Sequence, residues 1–393
     1  MKILVIASIL PVPEIYPEND AIFRLYDHYR KAYPDDQIEI WRPSAYSNAV
    51  LAKFSSKWES FYKVLQKGQY DYYGFRVKTL PFLDKKASPY TLSILSKSLW
   101  YFNKGFIKRE IHISAPDLIH AHWLHPDGWL ANKIAREYKI PFVLTLRRET
   151  EFFSDQRTKG EARQIVEDAS SVTVLNIRMK RQLEKLNLSS SPLLIPHGIE
   201  DFFFKYFATP DRKREGGPSV LTISRFLDWK YLDRLLKALG MLKEEGYQFT
   251  YTLYGRGPEE EHLKDLIQQL GLNKNVFLHA PVSYEEVPFI LEKHDIFALT
   301  SYPETFGRVY FEAMAVGLPV ICSQNSGVDG FFDNGEAGYF VDHNVIEDIA
   351  EALRKLLKAT EQRARMGKRG KEIVNSYTWP NIAEKFNYIY QNA

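Results

Sequence analysis

Cysteine is almost missing from this chain. Cys322 is the only one in 393 residues, which excludes an internal disulfide and fits a reducing cytosol. No apolar run reaches the length needed to cross a bilayer. The short run from Ile3 to Leu10 has only Lys2 before it and no small-residue cleavage site after it, so it reads as a buried first strand. No Asp-x-Asp triplet occurs, and no Gly-x-Gly-x-x-Gly fingerprint follows Ile9. The second absence argues against a nicotinamide or flavin cofactor. A net charge of +3 is too small to argue for nucleic acid. Short internal repeats and low-complexity tracts are also missing.

What is present is the composition of a globular protein, 45% apolar and 26% charged, at a length that implies two domains. Strand-like and helix-like segments alternate from the start. Lys2 to Ile9, Gln37 to Trp41, Asp117 to His122, Pro141 to Leu146 and Ser171 to Leu175 read as strands. Ala21 to Tyr33, Gly128 to Tyr138 and Glu161 to Ala169 read as helices. Asp201 to Gly217 interrupts the alternation with an aromatic patch and a charged, glycine-ended stretch, and reads as a linker. A second series opens at Pro218 to Ser224 and continues through Phe249 to Tyr254, Val276 to His279, Ile296 to Leu299 and Val320 to Cys322. The expectation is an α/β protein of two doubly wound, Rossmann-like domains with a ligand cleft at the carboxyl ends of their strands. Their bounds are 1–200 plus 376–393 for the first and 201–375 for the second.

The most telling stretch runs from Pro303 to Ala315 and holds Glu304 and Glu312 eight positions apart. Val309 to Val316 suits a helix, Gly317 ends it, and Pro319 leads into a strand. Gly307 lies just before the helix and lets backbone approach a ligand closely. The helix start then offers N–H groups and a positive dipole end to an anion such as a diphosphate. Side chains lean toward a helix N-terminus, so both carboxylates border that place and suit sugar hydroxyls better than phosphate. An ordinary helix start with acidic residues is the plainer alternative.

Arg225 follows the first strand of the second series, and Lys230 stands at the start of the next helix. Two cations there make a diphosphate site, or else a surface pair offsetting Asp228 and Asp233. Gly255-Arg256-Gly257-Pro258 is a tight turn after a strand. In the first half, His120 and His122 share one strand face and His125 follows, but no acidic partner is near enough in sequence to favour a metal. Asp127 suits a cap for the helix that begins at Gly128. Arg147 and Arg148 suit an anionic substrate group, or are surface arginines balancing Glu149 and Glu151.

These elements together resemble the family-4 retaining glycosyltransferases, which have the two-domain GT-B fold and a Glu-x7-Glu motif. The resemblance implies that Glu304 contacts the donor sugar and Glu312 the nucleotide's ribose. It implies that backbone at Phe306, Gly307 and Arg308 meets sugar hydroxyls. Arg225 and Lys230 match an Arg-x4-Lys element, with Tyr231 where a glycine is usual. Gly255 and Gly257 match a Gly-x-Gly-Pro turn near the donor. His122 matches a histidine that reaches the donor sugar from the acceptor domain, and the last helix, Pro380 to Gln391, one that crosses back to that domain. Pro17-Glu18-Asn19-Asp20 stands where a glycine-rich loop is common, which makes Asn19 an acceptor-side candidate beside Arg147 and Arg148.

The resulting expectation is a retaining, metal-independent hexosyltransferase-type enzyme with no cofactor. It takes a nucleoside-diphosphate sugar and a glycan or lipid-linked acceptor in cell-surface polysaccharide synthesis. A nucleotide-sugar hydrolase or epimerase, or a non-catalytic nucleotide-binding subunit of a polysaccharide assembly complex, are the alternatives. Leu51 to Glu110 carries twelve Lys and Arg against four Asp and Glu, a net of +8, with interleaved aromatics such as Phe54, Trp58, Phe61, Tyr62, Trp100, Tyr101, Phe102 and Phe106. That suits an anionic membrane surface and equally a pair of amphipathic helices with solvated lysines. The expected setting is the cytoplasm, at the inner face of the membrane if the first of these holds.

Overall fold

A computed structural model describes residues 1–13, 20–54, 56–83, 89–147, 149–189, 191–208 and 216–393. The chain divides into two compact units. The first comprises Met1–Leu175, Met179–Gly198 and Trp379–Ala393; the second comprises Asn176–Arg178 and Ile199–Thr378.

Eight strands form the sheet of the first unit: β1 (Lys2–Ile6), β2 (Gln37–Ala45), β3 (Gln69–Tyr72), β4 (Phe75–Phe82), β5 (Leu118–Ala121), β6 (Phe142–Leu146), β7 (Ser171–Val174) and β8 (Leu193–Leu194). Their order is β3-β4-β2-β1-β5-β6-β7-β8, parallel except for the hairpin β3–β4. Ile3 to Ile6 are all buried, as in a strand covered by helices on both faces. Strand order reverses between β1 and β5, so the carboxyl ends of these two strands mark the place where such sheets take ligands. The His122 amide donates to Ile6 O at 3.0 Å and seats the residue after β5 beside the end of β1.

The second unit has β9 (Ser219–Ile223), β10 (Thr250–Tyr254), β11 (Val276–His279), β12 (Ile296–Leu299), β13 (Val320–Ser323) and β14 (Gly338–Val341). These six are all parallel, in the order β11-β10-β9-β12-β13-β14. Here the reversal falls between β9 and β12. Both units are thus doubly wound α/β structures.

Several segments differ from their sequence reading. The first strand stops at Ile6, where the Ala7 amide donates to Trp41 O and the chain turns away. The two helices expected within the basic segment are Ser56–Lys67 and Pro89–Ser114, but the β3–β4 hairpin lies between them. Its turn is Tyr73-Gly74, with φ of +53° and +72°, the left-handed pair that matches strand twist. Part of the linker is packed: Asp201–Lys205 forms a 3-10 turn whose Phe203 is fully buried, while 209–215 lie outside the described residues. The helix Trp379–Gln391 packs on Ala21–Ala32, with Tyr29 donating to Asn387 Oδ1 at 3.1 Å. Among the described residues, no helix is long and apolar enough to cross a membrane.

Candidate functional site

In the second unit the chain leaving β9 carries Arg225 and Lys230, and the chain leaving β12 carries Glu304. Both lie at the strand-order reversal. Lys230 Nζ donates to Glu304 Oε2 at 2.7 Å, with side chains 16% and 19% exposed. Ser301 Oγ donates to the same oxygen at 3.1 Å, and the Glu304 amide donates to Ser326 Oγ at 2.7 Å. Glu304 O in turn accepts the Gly327 amide at 3.0 Å. The carboxylate is therefore fixed from both ends. Asp228 and Asp233 do not hold Lys230. Asp233 pairs with Lys237 at 3.0 Å, and Asp228 accepts the Trp229 amide at 2.7 Å.

Arg225 is exposed on the loop after β9. That loop is clamped onto the Gly255–Pro258 turn: the Phe226 amide donates to Arg256 O at 2.9 Å, and the Glu259 amide to Phe226 O at 3.2 Å. The two glycines explain how close the clamp is. A Cβ on Gly255 would stand 1.9 Å from Ser224 O, and one on Gly257 2.1 Å from Phe226 O. Their glycine character is thus required by the packing of the Arg225 loop, as suits the tight turn read from the sequence.

Gly307 likewise has a conformational reason. It caps the helix Arg308–Val316 at φ +75°, and a Cβ there would lie 2.5 Å from the Tyr310 ring. Phe306 is buried edge-on against Phe311 and Phe331. The first amides of any helix have no intrahelical acceptor. Glu312 sits one turn inside, 4% exposed, where Arg308 Nε pairs with Oε1 at 2.9 Å and Tyr284 OH donates to it at 3.0 Å. Each glutamate has its own cation.

Tyr231, where the resemblance leads one to expect glycine, adopts φ +49° and ψ +38°. That is the left-handed region, which glycine adopts most readily. Its ring is held by Arg234, 4.1 Å from the centroid, and by His343 at 4.8 Å, and this packing offsets the strain of a bulky residue there.

The first unit buries a polar cluster at its own reversal. His120, His122, His125, Arg147, Asp127 and Glu149 are each 4% exposed or less. Tyr26 OH lies 2.7 Å from His120 Nδ1 and 2.9 Å from His122 Nε2. Burial pushes His120 and His125 down to about 3 and His122 well below its ordinary value, so all three are neutral imidazoles. Arg147 is no surface residue: Nε donates to His122 O at 3.1 Å, and one terminal nitrogen meets His197 Nε2 at 3.1 Å. Burial lowers it to about 10, which keeps it charged at neutral pH. Glu149 accepts the amides of Arg147 at 2.6 Å and Leu124 at 2.9 Å. Asp127 does not cap the helix after it. It accepts the Ser8 amide at 2.9 Å and ties down the loop after β1, and burial raises its carboxyl to about 8. His125 lies apart from the other two histidines, stacked on Phe152 at 4.9 Å. A small pocket is lined in part by His122, Arg147, His197, Ala21 and Trp379. Asn19 and Arg148 lie outside the described residues.

Sequence reasoning found the charged members of both groups and missed Ser301, Tyr284, Ser326, Tyr26, Tyr390 and His197. Ser301 stands three positions from Glu304, but the contacts that bring the others into the two groups span between 22 and 364 positions and leave no local signal.

Residues 207–373 match the family model described as glycosyl transferases group 1. The chain is similar to the D-inositol 3-phosphate glycosyltransferase of Corynebacterium jeikeium, 27% identical over 338 residues that span 79% of this chain and 78% of the relative. The counterpart from Corynebacterium diphtheriae is 26% identical over 344 residues, 79% and 77% of the two chains. Among solved structures, sucrose-phosphate synthase from Thermosynechococcus elongatus aligns with a TM-score of 0.74 at 18% identity over 100% of this chain and 98% of that one. Anabaena HepE, solved in complex with UDP, aligns with a TM-score of 0.74 at 18% identity over the whole of both chains. The likeness to these solved structures shows the two-domain GT-B fold, and the match to glycosyl transferases group 1 covers residues 207–373.

Proposed function

We propose that this chain transfers a sugar from a nucleoside-diphosphate sugar, held by the second unit, to a glycan or lipid-linked acceptor held by the first. The observation that carries this is the Lys230–Glu304 pair at the β9/β12 reversal, inside the matched segment. A cation for the leaving diphosphate and a carboxylate for sugar hydroxyls meet at one place. HepE has been solved with UDP and with UDP-glucose, which supports this class of donor.

Arg225 and Lys230 stabilise the departing diphosphate, Glu304 orients the sugar, and Glu312 with Arg308 takes the ribose end. Transfer proceeds with retention: the acceptor oxygen attacks the anomeric carbon from the face the diphosphate leaves, and the donor phosphate takes the acceptor proton. No metal is required for this arrangement, and chelation by EDTA is expected to leave turnover unchanged. Arg147, with His197, suits an anionic acceptor group. The exposed Phe54, Tyr101 and Phe102 in the basic segment suit an anionic bilayer and support a setting at the inner membrane face, in polysaccharide synthesis.

A thermal-shift panel of nucleotide sugars tests the donor, since ligand at 100 times its dissociation constant adds about 2.7 kcal/mol. The best binder is then incubated with and without acceptor glycans. Transfer product supports the reading. Free sugar or an isomer formed without acceptor identifies a hydrolase or epimerase, and binding with no turnover identifies a silent subunit.

A further inference from the structure

Six contacts link six buried groups of the first unit in a chain. Thr173 Oγ1 meets Thr145 Oγ1 at 2.7 Å, and Thr145 Oγ1 meets His120 Nε2 at 2.7 Å. His120 Nδ1 meets Tyr390 OH at 2.6 Å and Tyr26 OH at 2.7 Å. The two phenol oxygens are 3.3 Å apart, and Tyr26 OH meets His122 Nε2 at 2.9 Å. Each hydroxyl has one proton, and each neutral imidazole has one N–H.

These counts fix the direction of every bond. Thr145 is the one hydrogen-bond partner of the Thr173 hydroxyl among the described residues, so Thr173 donates to Thr145. Thr145 then donates to His120 Nε2, which puts the His120 proton on Nδ1. That N–H is shared between the two phenol oxygens, which accounts for both short distances. The remaining acceptor for the Tyr390 proton is the Tyr26 oxygen, and the remaining acceptor for the Tyr26 proton is His122 Nε2. All six contacts then hold a proton. The reverse direction leaves the Thr173 proton without an acceptor and supplies only two protons for the three contacts among His120 Nδ1 and the two phenols, so that one of these contacts holds none.

His122 must therefore carry its own proton on Nδ1, a buried atom with no partner among the described residues. The residue lines the small pocket with Arg147 and His197. We propose that Tyr26 is a positioning residue that holds His122 as its Nδ1–H tautomer, so that the first unit offers its substrate a hydrogen-bond donor at this place instead of a base. The proposal rests on the sugar-transfer reading for the identity of the oxygen that accepts, a hydroxyl of the sugar or acceptor. It does not need that reading for the tautomer.

The test is a long-range proton–nitrogen NMR spectrum of the full chain labelled with 15N-histidine, taken without any substrate. His120→Asn and His122→Asn assign the two rings. The expected wild-type spectrum has both protonated at Nδ1. In Tyr26→Phe, His122 loses the donor to its Nε2 and moves to the Nε2–H tautomer. In Tyr390→Phe, Tyr26 still donates and His122 stays as it is. A wild-type His122 protonated at Nε2 overturns the proposal without reference to any variant, and so does a Tyr26→Phe protein in which His122 keeps Nδ1–H. Because no substrate is present, a chain that proved not to transfer sugar leaves this result standing.

Discussion

Lys230 and Glu304, 74 positions apart, meet at 2.7 Å where the loops after β9 and β12 converge. A charge-assisted contact of this kind contributes about 1.5–3 kcal/mol and presets both groups before any ligand arrives. On the proposed function, a nucleoside diphosphate would compete with Glu304 for the ammonium, and a sugar hydroxyl would compete with the ammonium for Glu304.

Arg225→Ala and Lys230→Ala are expected to lower turnover at least about tenfold each, a loss of about 1.4 kcal/mol of transition-state stabilisation. Both folds should survive, since neither side chain belongs to the core. Steady-state rates near wild type in either variant remove that residue from the diphosphate site.

The two glutamates should separate. Glu312→Gln loses its ion pair with Arg308 and should chiefly weaken nucleotide affinity. Glu304→Gln should depress turnover while free nucleotide still binds. Calorimetry on both variants decides, and equal losses of nucleotide affinity contradict the division of roles.

Gly255→Ala and Gly257→Ala should each destabilise the second unit by about 1–3 kcal/mol, because the added methyl meets backbone that cannot move without shifting the Arg225 loop. Gly105→Ala is the control. It lies within the helix Pro89–Ser114 with nothing within 4 Å, and should stabilise by about 0.5–1 kcal/mol. Thermal melts that rank the three alike would show that the turn is looser than described.

Acid should reveal the buried histidines. His125 stays neutral in the folded state down to about 3, while in the unfolded chain it protonates near its ordinary value of 6.5. Its folded pKa is lowered, so stability is complete above about 6.5 and is lost as pH falls from there toward 3. Between pH 7 and pH 5 this one residue removes about 2 kcal/mol. His125→Phe, which keeps a ring against Phe152, should lose about that much less than wild type in urea titrations at the two pH values. Parallel losses place the titration elsewhere.

The basic segment makes a separate claim. Wild-type protein should co-sediment with anionic vesicles at low salt and detach as salt rises, since each surface lysine near such lipid contributes about 1 kcal/mol. Reversing Lys53, Lys57, Lys63 and Lys67 to Glu should abolish this and leave nucleotide binding intact. Indifference of the wild type to anionic vesicles means an ordinary solvated face and a soluble acceptor.

Much of the fold could be read from the sequence because its signals are local. Gly317, at φ +90°, ends the helix that Arg308 begins, and the apolar run of β1 needs no distant partner to be recognised. The β3–β4 hairpin escaped notice because its left-handed turn uses Tyr73 ahead of Gly74, where Asn or Asp is the usual signal. At the sites, residue type pointed to the charged groups but not to their pairing. Gly255 and Gly257 were conspicuous for a reason that only packing discloses. Tyr26 and Tyr390 were invisible, since what they do depends on His120, which lies 94 positions from the first and 270 from the second.

The central claim is that the second unit holds a nucleoside-diphosphate sugar at Lys230 and Glu304. Calorimetric titration of nucleoside diphosphates into wild type and Lys230→Ala tests it most directly. The account predicts saturable binding of at least one of them to the wild type, weakened at least about tenfold in the variant. Binding of equal strength to both proteins, or no binding of any nucleoside diphosphate or nucleotide sugar to the wild type, contradicts it.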